Sequence, residues 1–229
     1  MHVPTKVVHA AIEPDPVTGS IMTPVHLTST YVQEQLGKNT GYVYSRVANP
    51  TRTVLERQVA ELEAGKEALA FGSGMAAIST LFSLLRAGDH VLVSRNVYGG
   101  TWRVANMVFH QFNLQFTFVD TTDMRTVETE IRPSTRMIFV ETPTNPTMEI
   151  TDIAAAARLS KKRKLISVVD NTFATPYFQN PLLLGADIVV HSATKYLNGH
   201  SDMLGGPAIR PDRAVALPAE VHRRHHESI

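Results

Sequence analysis

Short apolar runs alternating with helical patterns fill residues 67–190, and this alternation constrains the fold more than any other feature of the chain. "EALAF" (67–71), "HVLVS" (90–94), "LQFTFVD" (114–120), "RMIFVE" (136–141), "LISVVD" (165–170) and "ADIVV" (186–190) read as strands. "MAAISTLFSLLRAG" (75–88) and "DIAAAARLSKK" (152–162) are the clearest helices between them. Runs this uniformly apolar are suited to burial on both faces. Strands alternating with helices therefore predict an α/β fold, a mostly parallel sheet with helices on both faces. Several strands close on a polar residue: Asp120, Glu141, Asp170 and, just past the last, His191. Ligands of open α/β sheets bind beyond the carboxyl ends of the strands, so these residues are expected to converge on one cleft.

The flanks differ. Residues 1–50 are rich in Pro, Thr and other polar residues and read as an extended arm that needs something to lie against. "NPTRTVLERQVAELEAGK" (49–66) then predicts a helix, with Asn49 as N-cap, Pro50 at the first helical position and Gly65 past the end. Its Leu55, Val59 and Leu62 share one face. Residues 207–229, dense in Pro, Arg and His, show no sustained period and read as an irregular tail. Lys plus Arg (22) nearly cancels Asp plus Glu (21), which argues against nucleic acid or an anionic membrane as partner. The chain has no cysteine, so disulfides, thiolate metal sites and Cys nucleophiles are excluded together. "MHVPTKVVHAAIEPDP" lacks the pattern of a signal peptide, and no apolar run reaches the ~18 residues of a membrane span; the expected location is the cytoplasm.

Three features carry chemistry. "AFGSGMAAIST" (70–80) sets a glycine turn between a strand and a helix, where backbone N–H groups and the helix dipole face an anion. The turn fits G-x-G-x-x-A, but the next strand ends "VSRN", with Arg95 where a ribose-binding acid would stand, and Asp89 lies before that strand. Phosphate binding, a tight turn and a nicotinamide dinucleotide site all stay open here. The second feature is Lys195, in "HSATKYLNGHSDMLGG" (191–206), between Ser192, Thr194 and the close-approach glycines Gly199, Gly205 and Gly206. A lysine in a partly desolvated cleft has the lowered pKa that Schiff-base chemistry needs, although a surface lysine is the plainer reading. The third is Asp170, a strand-end acid. An anion cradle, an amine and a carboxylate are together what pyridoxal phosphate requires for its phosphate, aldehyde and ring nitrogen.

"DIVVHSATKYLNGHSD" resembles the lysine signature of the Cys/Met-metabolism family of pyridoxal-phosphate enzymes, which includes cystathionine gamma-synthase and gamma-lyase. The likeness continues through "YVYSRVANPTRTVLE", "GSGMAA", "VYGGTWR", "ETPTNP" and "VVDNTFATP", in family order, over roughly residues 5–206. The resemblance implies the fold-type-I large domain over 51–206, preceded by the arm at 1–50. It implies pyridoxal 5'-phosphate as cofactor and Lys195 as the residue that binds it covalently. Gly74 and Met75 would offer backbone N–H groups to the phosphate, and Ser192 and Thr194 hydroxyls. Tyr98 would stack on the ring, Asn145 would sit near its hydroxyl, and Asp170 would pair with its nitrogen. Tyr44 and Arg46 match a pair lent to a neighbouring subunit's phosphate, which implies a homo-oligomer, a dimer or a tetramer.

The catalytic set so implied is Lys195, Tyr98 and Asp170. The reaction would be elimination or replacement at Cβ or Cγ of a sulfur amino acid or an activated homoserine. Gly100 stands where methionine gamma-lyases carry a cysteine, which counts against that activity. From Pro207 the likeness is expected to lapse, with no C-terminal small domain and a composition such as a shifted reading frame would give. The alternative function is then a cofactor-binding fragment with little catalysis. His222, His225 and His226 read as tail residues in preference to metal ligands.

Overall fold

Asn49 and Pro50 open the first long helix as expected. The Asn49 side chain accepts a bond from Thr51 N at 2.9 Å, in a computed structural model that describes residues 2–212. Before it, a short helix α1 (Val3–His9) interrupts the arm, so residues 1–50 are not extended throughout. Then come α2 (Pro50–Leu62), β1 (Glu67–Phe71), α3 (Gly74–Ser83), β2 (His90–Ser94) and α4 (Gly99–Arg103). A π-helical turn (Val104–Val108) and a 3-10 turn (Phe109–Phe112) lead on to β3 (Gln115–Val119). The rest is α5 (Met124–Thr129), β4 (Thr135–Glu141), α6 (Ile153–Arg163), β5 (Ile166–Asp170), α7 (Thr175–Phe178), β6 (Ile188–Val190) and β7 (Gly206–Arg210). Ser73, Asp123 and Asp152 cap α3, α5 and α6 by accepting from backbone N–H groups of the first turn, which satisfies donors the helix cannot.

The seven strands form one sheet in the order β1-β7-β6-β5-β4-β2-β3. Its central pairings are parallel, and β7 runs antiparallel to both β1 and β6. This corrects the expected boundary at 207. Residues 207–210 belong to a strand, because Ala208 and Ile209 pair with β1 on one side and β6 on the other. Residues 213–229, with His222, His225 and His226, lie outside the described residues.

Alternate side chains of each central strand go to opposite faces, and both faces are filled. Val91, Val93, Met137, Phe139 and Val168 join Phe82 and Ile78 of α3 in one cluster. Leu92, Ile138 and Val140 join Val127 of α5 and Ala156 and Leu159 of α6 in the other. The apolar strand sequences are explained by this double cover. Phe82 anchors the first cluster, with Phe109, Phe116 and Phe139 at ring-centroid distances of 5.6, 5.2 and 5.8 Å. Such edge and tilted contacts add about 0.5–1.5 kcal/mol per pair to the area buried. Among the described residues no helix is long and apolar enough to cross a membrane.

Candidate active site

The chain leaves β2 for β3 on one side and returns to β4 on the other, so strand order reverses between β2 and β4. Crevices of this kind, at the carboxyl ends of the strands, hold ligands in open α/β sheets. A cavity of about 230 Å³ lies at these strand ends, and Lys195, Asp170, Tyr98, Asn145 and Gly74 line it. Met75, Ser192 and Thr194 complete the set of expected residues on its wall. A larger, open hollow of about 690 Å³ shares Lys195, Thr194, Phe173 and Leu204 with it. The smaller cavity is the candidate site, since the strand-end carboxylates line it and not the larger one.

The glycine-turn end of the cavity is built by close approach. Gly74 and Met75 are the first residues of α3, whose opening N–H groups have no intrahelical partner; Ser73 Oγ takes only that of Ala76, at 3.0 Å. A Cβ on Gly74 would stand 2.9 Å from Ser192 Cα and Cβ, so only glycine lets the turn and the residue after β6 share one space. Thr194 Oγ1 donates to Gly205 O at 3.3 Å and accepts from Gly205 N at 3.1 Å, which ties the lysine loop to the start of β7.

The carboxylates occupy the floor. Asp170 and Glu141 are register partners at the ends of β5 and β4. Asp170 Oδ1 accepts from Thr172 N at 3.0 Å and Thr172 Oγ1 at 2.5 Å. Burial pushes Asp170 up, opposed by these bonds and by the nearby His191. Glu141 Oε2 accepts from Tyr98 N at 2.8 Å and Oε1 from Asn145 N at 2.7 Å. Burial, reinforced by the charge of Asp170, pushes Glu141 up to about 7. Two acids this close do not both ionise freely, and the cavity is therefore prepared to meet a positively charged group.

Lys195 sits on the turn after β6, its N–H donating to Ser192 O at 3.1 Å and its carbonyl accepting from Gly199 N at 2.8 Å. Tyr98, 42% exposed, stands at the mouth as the residue preceding α4. Its ring is folded back over Gly100, where a Cβ would meet Tyr98 Cε1 at 2.4 Å and Met75 Sδ at 3.1 Å.

Four residues are not on the cavity wall. Tyr44 and Arg46 pair with each other, the Arg46 guanidinium 5.1 Å from the Tyr44 ring centroid, on a segment bridged to Thr30. The expected convergence of strand-end polar residues holds for Glu141 and Asp170 only. Asp120 directly follows the far strand β3, bonded to Arg95 at 3.2 Å and to Thr122. His191 is fully buried beneath the cavity, its Nε2 2.6 Å from Glu63 Oε1, because the side chain turns toward the end of α2. Conversely Ser73, Thr172 and Phe173 line the cavity without having been expected there. Thr172 Oγ1 both donates to Asp170 and accepts from Ser192 N at 2.8 Å, and so joins the carboxylate to the glycine-turn end. The "D-N-T" spacing after a strand-end acid was the available signal.

These residues fit a group that combines a phosphate, an aldehyde and a ring nitrogen. The glycine cradle that a Cβ would fill provides for the anion, an amine lies alongside, and a buried acid marks the opposite requirement.

Comparison with known proteins points the same way. A family model described as "Cys/Met metabolism PLP-dependent enzyme" matches residues 4–226, which runs past Pro207, where the likeness was expected to lapse. The chain is 50% identical over 218 residues to a cystathionine gamma-lyase of Bacillus subtilis (strain 168), covering 95% of this chain and 57% of that one. It is 51% identical over 212 residues to a cystathionine beta-lyase of Coxiella burnetii, covering 92% and 55%. The crystal structure of cystathionine gamma-lyase from Lactobacillus plantarum complexed with L-serine superposes with a TM-score of 0.90 at 49% identity, covering 92% of this chain and 55% of that one. The chain spans about half the length of the curated relatives it matches.

Proposed function

The chain belongs to the Cys/Met metabolism PLP-dependent enzyme family, and from that premise we propose that its cavity holds pyridoxal 5'-phosphate and serves a transsulfuration reaction. The observation that carries the proposal is the meeting of Lys195, Asp170 and the Gly74 turn in one cavity. Gly74 and Met75 would hold the phosphate through backbone N–H groups, and Ser192 and Thr194 through hydroxyls. Asn145 would serve the ring hydroxyl, Tyr98 would cover the ring, and Asp170 would keep the ring nitrogen protonated. When bound, the cofactor supplies an electron sink for the pair left behind as a proton leaves the substrate α-carbon.

Lys195 Nζ would be the group that holds the cofactor covalently. As a free amine, once a substrate amine has taken its place, it would take the substrate α-proton as general base and return it as general acid. Burial of Asp170 strengthens its attraction for a ring N–H, since low local dielectric magnifies a charge-assisted bond. Tyr98 closes one face of the site and assists proton transfer. The substrates are a sulfur amino acid such as cystathionine, or an activated homoserine, with bond cleavage or replacement at Cβ or Cγ. Tyr44 and Arg46, which pair with each other away from this chain's own cavity, reach the phosphate of a neighbouring copy, so the working unit is a homo-oligomer. A cytoplasmic location belongs to the same reading. A second reading is cofactor binding with little turnover, and its ground is that, among the described residues, Lys195 is the one Lys or Arg on the cavity wall, which leaves a substrate carboxylate without a cationic partner there.

The test is the visible spectrum of the 229-residue chain with pyridoxal phosphate, before and after borohydride, beside Lys195→Ala. A yellow adduct fixed by borohydride in the wild type and absent from the variant supports the site. Turnover of cystathionine or an acylated homoserine then separates the first reading from the second. A folded wild type with no lysine-dependent adduct overturns both.

A further inference from the structure

Glu141 is a buried acid that the reaction outlined above leaves without a task. Yet its two oxygens are both engaged, and by backbone donors from two separate loops. Oε2 accepts from Tyr98 N, in the loop that follows β2, at 2.8 Å. Oε1 accepts from Asn145 N, in the loop that follows β4, at 2.7 Å. These are the two loops that part at the reversal of strand order. Tyr98 and Asn145, the residues whose backbone is held, both line the cavity, as does Glu141.

The backbone of Glu141 is itself well anchored. Its N–H donates to Ser94 Oγ at 3.2 Å, and Ser94 Oγ lies 3.0 Å from Thr121 Oγ1. Thr121 Oγ1 in turn is 2.7 Å from Thr151 Oγ1, and Thr151 N donates to Thr142 Oγ1 at 3.0 Å. This buried chain of hydroxyls joins β2, the turn after β3 and the loop after β4. Only a carboxylate offers acceptors on both arms; an amide at the same place turns an NH2 toward one of the two N–H groups.

We propose that Glu141 is a positioning residue, a two-armed clamp that fixes Tyr98 and Asn145 in register across the strand-order reversal. The inference rests on the cavity being the cofactor site only for its consequence, which is the placement of a ring cover and a ring neighbour. The clamp itself is a property of the cofactor-free chain.

Its test reads the clamped amides directly. Amide hydrogen exchange of Tyr98 and Asn145 is measured by NMR in the cofactor-free wild type and in Glu141→Gln. Loss of one charge-assisted bond is expected to speed exchange at one or both positions by roughly ten- to a hundredfold, while amides of β4 and β5 stay protected. Should the variant fail to fold, the wild type still answers. The amide proton shifts of Tyr98 and Asn145 are expected to follow pH with one common midpoint, as two donors to one titrating group must. Unchanged exchange in a folded variant, or separate midpoints for the two amides, overturns the clamp. The pyridoxal-phosphate spectrum is recorded on the same samples. A wild type without an adduct but with jointly titrating amides discards the cofactor and keeps the clamp, so the two failures are distinct.

Discussion

The Tyr98 ring occupies the space that a side chain at Gly100 would need, its Cε1 2.4 Å from the position of a Cβ there. The atoms in conflict are side-chain atoms, and Tyr98 is partly exposed, so the ring can swing away. Gly100→Ala is therefore expected to cost less than ~1 kcal/mol of stability, because alanine's better helix propensity in α4 offsets the contact. Cofactor affinity is expected to fall at least several-fold, since the ring leaves the mouth of the cavity. Thermal melting and a pyridoxal-phosphate titration of the same variant separate the two effects, and an unaltered affinity would contradict the placement of Tyr98.

Gly206 is a different case. A Cβ there would meet Gly74 N at 2.4 Å, Gly74 Cα at 2.5 Å and His191 O at 2.7 Å, all of them backbone. Nothing at this junction of β7, the glycine turn and the end of β6 can rotate out of the way. Gly206→Ala is expected to lose at least ~2 kcal/mol, as overpacking against fixed atoms does. The change in urea midpoint measures it.

Glu63 and His191 form a fully buried pair at 2.6 Å, and Asn171 Nδ2 donates to the same Glu63 oxygen at 2.8 Å. Glu63→Ala removes the shared partner of His191 and Asn171 at a fully buried position and is expected to cost at least ~2 kcal/mol. Glu63→Gln keeps one acceptor oxygen and should lose clearly less. Equilibrium unfolding of the two variants orders them, and equal losses would mean that packing volume, not the polar pair, is what matters.

The pH dependence of stability has a definite sign. Glu141 is pushed from 4.5 up to about 7 by burial and by Asp170, so between those values the folded chain holds a proton that the unfolded chain has released. Its contribution is complete below about 4.5 and is lost as pH rises through about 7. His90, pulled down to about 4 by burial and Arg132, has the opposite slope but is common to wild type and variant. The stability of the wild type relative to Glu141→Gln is thus expected to fall by up to about 3 kcal/mol from pH 4.5 to 7, then level off. Urea titrations at stepped pH give the difference, and a flat one would place the titration elsewhere.

The sheet was legible because central strands covered on both sides must be apolar at nearly every position, as in "HVLVS" and "ISVVD". The cavity was legible through chemistry that few places need together: a glycine turn, a strand-end acid and a lysine. β7 was not. "GPAIR" is short and carries a proline, which ordinarily argues against an interior strand. It is accommodated because its neighbours run antiparallel and the Pro207 carbonyl still accepts from His191 N at 3.1 Å. His191 was assigned to the cleft because a strand-end polar residue ordinarily faces it, and no spacing rule foretells a partner 128 positions away. The role of Glu141 was hidden for another reason. Its partners are backbone N–H groups, which every residue but proline carries and no side-chain pattern reveals.

The strand that carries the glycine turn, β1, lies at the edge of the sheet, and its one neighbour there is β7. The two ends of that pairing, Glu67 and Arg210, are 143 positions apart. On a ribosome, β1 therefore waits unpaired while β2 through β6 can already assemble beside one another, and is zipped in only after residue 210 has emerged. The glycine turn at the head of α3 and the lysine after β6 consequently come into their final relation at the same moment, as the last strand closes.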